Sequence, residues 1–196
     1  MLIAISGSQG SGKSTVLGEL CNRGINTIER KTARSILTEW GVALEQVYND
    51  PVLTMQFQEE ILLRKRQDEQ IALLDDTQLW ATERSYADLF AYTLIYLGKD
   101  NQYTDWLNRY HVLCMQAQQT YDMVYYLTAG HFDVVSDGTR SANIHYSKMA
   151  DLIMRDVTEQ MTLPSAYITI DTPNLNQRIE RIICTSQRLL YQKKGS

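Results

Sequence analysis

Residues 7–15 read Gly7-Ser8-Gln9-Gly10-Ser11-Gly12-Lys13-Ser14-Thr15 and carry the strongest structural signal in the chain. It satisfies the pattern G-x-x-x-x-G-K-[ST], directly after an apolar, β-prone run and directly before a helical one. The glycines permit a tight loop whose backbone N–H groups turn inward around phosphate oxygens, and the following helix adds the positive end of its dipole. A glycine-rich turn with a capping serine is the alternative, but the position between strand and helix favours a phosphate loop.

The loop predicts ATP and Mg²⁺ as cofactors. All its residues, from Gly7 to Thr15, are candidates for ATP binding; Lys13 is expected to reach the β- and γ-phosphates and to act in catalysis, and Ser14 to place its hydroxyl on the metal. The loop leaves the reaction open among GTPases, ATPase motors and small-molecule kinases. A GTPase should show an Asn-Lys-x-Asp string, which the sequence lacks. A motor should show paired acids at the end of a strand, and the comparable pair Asp75-Asp76 precedes the predicted strand Gln78–Thr82 instead.

Around the loop, short apolar runs alternate with helical stretches. The predicted strands are Leu2–Ser6, Ile25–Glu29, Gln78–Thr82, Met123–Leu127 and Ala166–Ile170. The predicted helices are Lys13–Arg23, Thr32–Trp40, a long one that begins at Asp50-Pro51, Ala87–Leu97, Tyr103–Gln119, Tyr146–Met161 and Leu175–Leu190. Such alternation implies right-handed crossovers and an α/β three-layer sandwich, in which helices flank a five-stranded parallel sheet. Ligands of such sheets bind at the carboxyl ends of the strands.

Composition limits the class of protein further. The chain has 196 residues and a formal net charge of −4, so no overall basic field attracts a polyanion such as DNA. Its three cysteines show no metal-ligand or disulfide pattern, and no apolar run is long enough to span a bilayer. We expect a cytoplasmic protein with a single domain over residues 1–191 and a flexible tail over 192–196.

The second predicted strand ends in a carboxylate beside cations. Glu29 ends this strand and is followed by Arg30, Lys31 and Arg34. A carboxylate at a strand end near a phosphate loop can accept a proton from an attacking hydroxyl. We therefore predict that Glu29 is catalytic and binds the substrate together with Arg34. The alternative is a surface ion pair of Glu29 with Arg30 or Lys31.

The third predicted strand runs into Glu83-Arg84-Ser85-Tyr86-Ala87-Asp88. This Glu-Arg-Ser string, with a Tyr and an Asp just after it, resembles the corresponding motif of deoxynucleoside kinases, and thymidylate kinases carry an Asp-Arg pair in a similar place. The resemblance implies that Glu83 assists Mg²⁺ or the acceptor sugar, and that the fork of Arg84 holds phosphate during catalysis. Tyr86 is expected to stack on a ring of the substrate. The alternative is that Glu83 caps a helix and Arg84 is solvated.

A segment rich in Gly and short polar residues follows the fourth predicted strand. Its string Asp137-Gly138-Thr139-Arg140-Ser141 resembles the lid of ribosylnicotinamide kinases and of related small P-loop ATP-binding proteins. The resemblance implies a lid over about residues 129–146, in which Arg140 closes over the transferring phosphates and excludes water. Arg155 is a second candidate. The alternative is an ordinary Asp-Gly turn with a surface Arg.

The resemblance extends from Leu2 to about Ile183 and implies a P-loop nucleoside or nucleotide kinase. Such an enzyme transfers the γ-phosphate of ATP to a (deoxy)nucleoside monophosphate or a nucleoside, which needs positioning and charge neutralisation more than covalent chemistry. A monophosphate acceptor needs extra cations, and Arg34, Arg64 and Arg66 are available for its binding, which favours a nucleotide acceptor without excluding a nucleoside.

Two other functions stay open. The first is an ATP-binding regulatory or assembly module with little or no transfer activity, and the second is transfer to a hydroxyl within DNA or RNA. The acidic net charge argues against a nucleic-acid partner. The expected partner is therefore a small-molecule nucleoside or nucleotide, with no membrane association, and homodimer formation is left open.

Overall fold

The computed structural model describes residues 1–28, 32–75, 77–131 and 143–194. Its strands are β1 (Leu2–Ser6), β2 (Asn26–Ile28), β3 (Trp80–Glu83), β4 (Met123–Leu127) and β5 (Tyr167–Ile170). Its helices are α1 (Lys13–Asn22), α2 (Thr32–Trp40), α3 (Leu44–Asn49), α4 (Pro51–Leu74), α5 (Tyr86–Leu97), α6 (Thr104–Gln118), α7 (Ile144–Met161) and α8 (Leu175–Lys194). All strand pairs are parallel, in the order β2-β3-β1-β4-β5. The predicted five-stranded parallel sheet with flanking helices is confirmed.

The sheet separates two hydrophobic clusters. Ile3 and Ile5 of β1 join a cluster with α1 and α8, whereas Leu2 and Ala4 join one that draws on α2 to α7. Because both faces are covered, every residue of β1 is buried, which explains its continuous apolarity. The molecule is therefore a three-layer α/β sandwich. Within the described ranges, no helix combines the length and the apolarity needed to cross a membrane.

Strand register brings the functional segments to one edge of the sheet. In the ladders, Ile5 of β1 is level with Glu83 at the end of β3 and with Tyr125 of β4. Two residues after Ile5 the chain enters the phosphate loop at Gly7. The carboxyl end of β3 therefore lies directly beside this loop.

Several element boundaries differ from those predicted. Strand β3 begins at Trp80, where its backbone N–H donates to the Met1 carbonyl at 2.9 Å and pairing with the first strand starts, and it continues to Glu83. The short helix α3 has no counterpart in the prediction, because six residues carry too little periodicity. Helix α8 runs to Lys194, beyond residue 192, where a flexible tail was expected to begin.

The long helix begins where the sequence predicts. The Asp50 carboxylate accepts hydrogen bonds from the backbone N–H groups of Val52 and Leu53 at 2.9 and 3.1 Å, and Pro51 occupies the first helical position. These contacts satisfy N–H groups that have no partner within the helix. Capping therefore fixes the start of α4, which passes beneath the end of β3.

Candidate functional site

The phosphate loop requires glycine at its first position. Gly7 has a φ of +138°, and a Cβ atom there would lie 2.5 Å from the Leu127 carbonyl oxygen and 2.8 Å from the Ser11 hydroxyl oxygen. Gly12, at the other end of the loop, has a φ of +87° and directly precedes α1. The loop therefore wraps closely at its start and delivers the N-terminus of α1 to its centre, which is the geometry of an anion site.

Lys13 folds back across the loop that contains it. Its Nζ atom donates to the Ser8 carbonyl at 2.8 Å and to the Ser11 hydroxyl at 3.5 Å, and the residue is 5% exposed. These contacts hold the Lys13 amine at the mouth of the loop. This is where it must lie to make its predicted contact with phosphate.

A second cation, Arg178, donates hydrogen bonds to the backbone of the phosphate loop. The guanidinium of Arg178 on α8 donates to the Ser11 carbonyl and to the Thr172 carbonyl, each at 2.5 Å. Arg178 is 1% exposed, and burial lowers its pKa from the usual value. This residue ties the loop after β5 to the phosphate loop. Arg178 follows Ser11 by 167 residues in the chain. No local sequence pattern could therefore predict this contact.

The structure brings together the two residues predicted to hold the metal. The Ser14 hydroxyl donates to the Glu83 carboxylate, with 3.0 Å between Oγ and Oε2. Hydroxyl and carboxylate oxygens are the hard donors that Mg²⁺ accepts alongside phosphate oxygens and water. The two side chains fit a magnesium site at the mouth of the loop.

Arg84 has an unusual backbone and an enclosed side chain. Its φ is +65°, in the left-handed region, and its guanidinium lies 4.9 Å from the centre of the Tyr92 ring. Burial acts to lower the pKa of Arg84, but Tyr92, Asp88 and Glu83 raise it above the usual value. Its Nη1 atom is buried and has no hydrogen-bond partner among the described residues. One nitrogen of this charged guanidinium therefore lacks an acceptor in the part of the chain that the structure describes.

Two carboxylates accept hydrogen bonds from serines at the beginning of the phosphate loop. Asp88 of α5 accepts from the Ser6 hydroxyl at 2.8 Å, and Asp151 of α7 accepts from the Ser8 hydroxyl at 2.7 Å. Asp88 also forms a capping box with Ser85, which the spacing Ser-x-x-Asp indicates in the sequence. The sequence carries no comparable signal for Asp151. Both acids were missed as parts of the site.

The prediction that Tyr86 stacks on a substrate is wrong. Tyr86 is 2% exposed, its ring stacks on Tyr121 with 5.4 Å between centroids, and its hydroxyl donates to Glu69 at 2.7 Å. Both the ring and the hydroxyl are therefore engaged inside the protein. The side chain points away from the surface because the first turn of α5 packs on α4.

Arg64 is also placed differently from the prediction. Its guanidinium donates two hydrogen bonds to Glu39 of α2, at 2.8 and 2.6 Å, and one to Glu60 at 2.7 Å. Two carboxylates therefore compensate its charge, and it clamps α2 to α4 instead of supplying a cation for the substrate. Arg34 is exposed on the first turn of α2, and its role remains a prediction. Glu29 and Arg140 lie outside the described residues.

Gln58 is a further polar residue that the sequence did not single out. It lies on α4, is 2% exposed, and its Oε1 atom is buried without a hydrogen-bond partner among the described residues. In the loop itself, the buried Nε2 atom of Gln9 is likewise without one in the part of the chain described. Buried polar atoms in native proteins almost always have partners, so these atoms indicate places for water or for ligand groups.

Comparisons with known proteins agree with this architecture. Residues 2–178 match the model of a family described as AAA domain. The comparison with curated proteins found no match. Three solved structures of deoxyadenosine kinase from M. mycoides are similar. The complex with dCTP has a TM-score of 0.68 at 17% identity and covers 96% of this chain and 100% of that chain.

The two other complexes give similar values. The one with the products dCMP and a flexible dCDP has a TM-score of 0.72 at 17% identity, again covering 96% of this chain and 100% of that chain. The one with dATP has a TM-score of 0.68 at 19% identity and covers 95% of this chain and 100% of that chain. At this level of identity the structures show a shared fold. The fold implied by the Glu83-Arg84-Ser85 motif is thereby confirmed.

Proposed function

The chain belongs to the AAA domain family, and on that premise we propose that it is a kinase that transfers the γ-phosphate of ATP to a nucleoside or a (deoxy)nucleoside monophosphate. The observation that carries the proposal is the 3.0 Å contact between Ser14 Oγ and Glu83 Oε2. It joins the phosphate loop to the strand end where the Glu-Arg-Ser motif lies. In P-loop enzymes such a carboxylate holds Mg²⁺ together with the Ser or Thr of the loop, which supports transfer of the γ-phosphate. The Glu-Arg-Ser motif around Glu83 favours a nucleoside or nucleotide acceptor over water.

Each residue of the site has a defined task in this reaction. Lys13 and the N–H groups of the loop bind the phosphates of ATP, and Arg84 supplies charge to the migrating phosphoryl group. Ser14 and Glu83 would hold Mg²⁺, which neutralises phosphate charge when bound. Glu29 is proposed to orient or deprotonate the acceptor hydroxyl.

In the same proposal, Arg140 of the expected lid closes over the phosphates. Closure would exclude water, and hydrolysis of ATP would otherwise compete with transfer. This part of the proposal rests on the motif Asp137-Gly138-Thr139-Arg140-Ser141.

The buried atoms without partners have the hydrogen-bond donor or acceptor character that ATP and a nucleoside require. Arg84 Nη1 and Gln9 Nε2 are donors, which suit phosphate oxygens, and Gln58 Oε1 is an acceptor, which suits an amino group of a base. Gln58 precedes Lys65 by seven residues on one face of α4, so about 10 Å separates it from the level of the Glu83–Arg84 turn. That is the length of a nucleoside. The spacing supports an acceptor whose base lies at Gln58 and whose reactive hydroxyl lies near Arg84.

Between the two acceptor classes we favour the nucleoside. A monophosphate brings two further negative charges, and one of the three cations counted on to bind them, Arg64, is already compensated by Glu39 and Glu60. The similar solved structures are of a deoxyadenosine kinase, which agrees with this choice. We expect a deoxynucleoside or nucleoside with an exocyclic amino group to react faster than its monophosphate.

A substrate panel tests the proposal. Purified protein with Mg-ATP is given nucleosides, deoxynucleosides, their monophosphates, ribosylnicotinamide and short oligonucleotides, and ADP and product are separated by chromatography. Glu29→Gln and Arg84→Ala should each lower transfer at least about a hundredfold while ATP binding is retained. The matched control is Arg109→Ala, which removes an exposed cation of α6.

The panel also distinguishes the alternatives. ATP binding without transfer to any member contradicts the kinase and supports the regulatory or assembly module. Transfer to oligonucleotides alone replaces the small-molecule acceptor by nucleic acid. No ATP binding at all overturns the whole proposal.

A cytoplasmic location is part of the proposal. Cys21, Cys114 and Cys184 are all free thiols, which suits a reducing compartment that supplies ATP. Fractionation of cells that express the protein tests the location, and sedimentation velocity on the purified protein tests the homodimer.

A further inference from the structure

A lysine and a glutamate are completely buried beneath the Glu83–Arg84 turn. Lys65 and Glu69 are one turn apart on α4, both are 0% exposed, and 2.5 Å separates Nζ from Oε1. Replacement of a buried ion pair by apolar side chains is often neutral or stabilising. The pair therefore calls for a role other than stability.

The amine of Lys65 makes its remaining contacts with the end of β3. It donates to the Arg84 carbonyl at 2.8 Å and lies 3.5 Å from the Glu83 carbonyl oxygen and 3.4 Å from the Thr82 hydroxyl. One buried cation thus holds consecutive residues of the segment that leads into the site.

The backbone of this segment is strained, so other contacts must stabilise its conformation. Arg84 has a φ of +65°, which side chains with a Cβ atom rarely adopt, and such residues persist only where surrounding contacts impose the conformation. The conformation sends neighbouring side chains in different directions. Glu83 reaches Ser14, and the guanidinium of Arg84 lies over Tyr92.

Two tyrosines fix the pair in place. The hydroxyls of Tyr86 and Tyr121 both donate to the Glu69 carboxylate, at 2.7 Å and at 3.0 and 3.2 Å. Their ring centroids lie 5.2 and 5.7 Å from the Lys65 amine, which adds cation–π attraction. The direction of the amine is therefore determined from several sides, and Tyr86 has a structural task that explains its burial.

We propose that Lys65 is a positioning residue for phosphoryl transfer, which holds the Glu83–Arg84 turn in its left-handed conformation and so aims both side chains. Lys65 acts through the backbone of the turn, while Glu83 and Arg84 meet metal and phosphate. The inference rests on the proposed function for its effect on catalysis. Its structural part, the hold on the turn, is independent of ATP and of any acceptor.

The structural part is tested first, by amide hydrogen exchange on the protein without ligands. Lys65→Met/Glu69→Gln removes both charges, so that no uncompensated carboxylate is left in the core. Exchange of the Arg84 amide, which donates to the Ile5 carbonyl at 2.9 Å, should accelerate roughly 10-fold or more relative to the amides of α4. Lys65→Gln/Glu69→Gln, which also removes both charges but keeps a polar amide at each position, is measured alongside in case the first double variant is unstable.

The matched control is Tyr125→Phe. It removes a buried tyrosine hydroxyl that contacts Ser186 at 2.8 Å in the other hydrophobic cluster, so it leaves the contacts of Lys65 and Glu69 intact. Its exchange at Arg84 should equal that of the unaltered protein. Equal exchange at Arg84 in the Lys65 variants and the unaltered protein overturns the inference.

Kinetics test the functional part. The Lys65 variants should lower kcat and raise the Mg²⁺ concentration for half-maximal activity roughly 10- to 100-fold, with ATP affinity in EDTA unchanged. Tyr125→Phe should change neither quantity. If the unaltered protein transfers no phosphoryl group, the proposed function fails while the exchange result still decides the positioning. If it transfers and the variants match its kcat and Mg²⁺ dependence, the positioning role fails alone.

Discussion

Ser8 of the phosphate loop donates a hydrogen bond to Asp151 of α7, with 2.7 Å between Oγ and Oδ1. The same carboxylate oxygen accepts from the Tyr126 hydroxyl at 2.9 Å. A negative charge therefore lies next to a loop whose geometry suits anions. The charge of Asp151 repels phosphate and so weakens ATP binding. Its hydrogen bonds hold the loop in shape and so strengthen ATP binding.

Two substitutions separate the charge of Asp151 from its hydrogen bonds. Asp151→Asn retains an acceptor for Ser8 and removes the charge, so ATP should bind about three- to tenfold tighter, a gain of about 1 kcal/mol near a protein surface. Asp151→Ala loses the acceptor as well and should weaken ATP binding. Calorimetric titration at two ionic strengths measures both, and the gain for Asn should shrink at high salt. Equal affinity of the Asn and Ala variants contradicts this division.

Glu83 and Ser14 should act together on the metal. Glu83→Gln retains the size of the side chain but offers a weaker ligand, so the Mg²⁺ requirement should rise and kcat should fall about a hundredfold or more. Ser14→Ala should raise the same requirement. Since the residues share one site, the double variant should cost less than the sum of the single changes. Mg²⁺ titrations of initial rates measure this coupling, and strict additivity would argue against a common metal.

The meeting of Ser14 with Glu83 could be predicted from sequence, because Ser14 begins the helix after the loop that follows β1, Glu83 ends β3, and parallel strands bring their carboxyl ends to one edge. The signals involved are local: a glycine pattern, a strand and the start of a helix. The same reasoning identified the order of elements from Leu2 onward. It needed no knowledge of how α4 packs.

The string Arg64-Lys65-Arg66 shows where local signals end. In sequence it predicts a cationic segment of α4, yet adjacent residues on a helix point about 100° apart. Arg64 therefore meets Glu39 of α2, Lys65 enters the core, and Arg66 is exposed. Which neighbour each residue meets depends on residues distant in the chain. For the same reason, Tyr86 was predicted to stack on the substrate although it contacts Glu69 inside the protein.

The Arg64 clamp should contribute to stability and leave catalysis unchanged. Arg64→Gln should lower the thermal midpoint, with a smaller effect in high salt because the partners are partly exposed. KM for the acceptor should be unchanged. Arg64 lowers the pKa of Glu39 by hydrogen bonding, so the contribution is full above about pH 4.3 and is lost as the pH falls through the lower pKa of the folded state. Melting curves from pH 7 to pH 3, compared between the two proteins, should therefore converge at the acid end. A higher KM of the Arg64→Gln variant for the acceptor would indicate that Arg64 binds the substrate after all.

Arg178 should couple the loop after β5 to the phosphate loop. Its guanidinium bridges the Ser11 and Thr172 carbonyls, which a lysine amine can contact only one at a time. Arg178→Lys should therefore weaken ATP binding about tenfold and lower the free energy of unfolding by about 1–3 kcal/mol, the cost of a buried acceptor without its donor. Urea titration and calorimetry measure the two effects. The matched control is Arg188→Lys, an exposed residue of the same helix, which should change neither quantity. Because Arg178 contacts the backbone of both loops, its loss should weaken ATP and ADP equally. A selective loss of ATP would instead place Arg178 at the γ-phosphate.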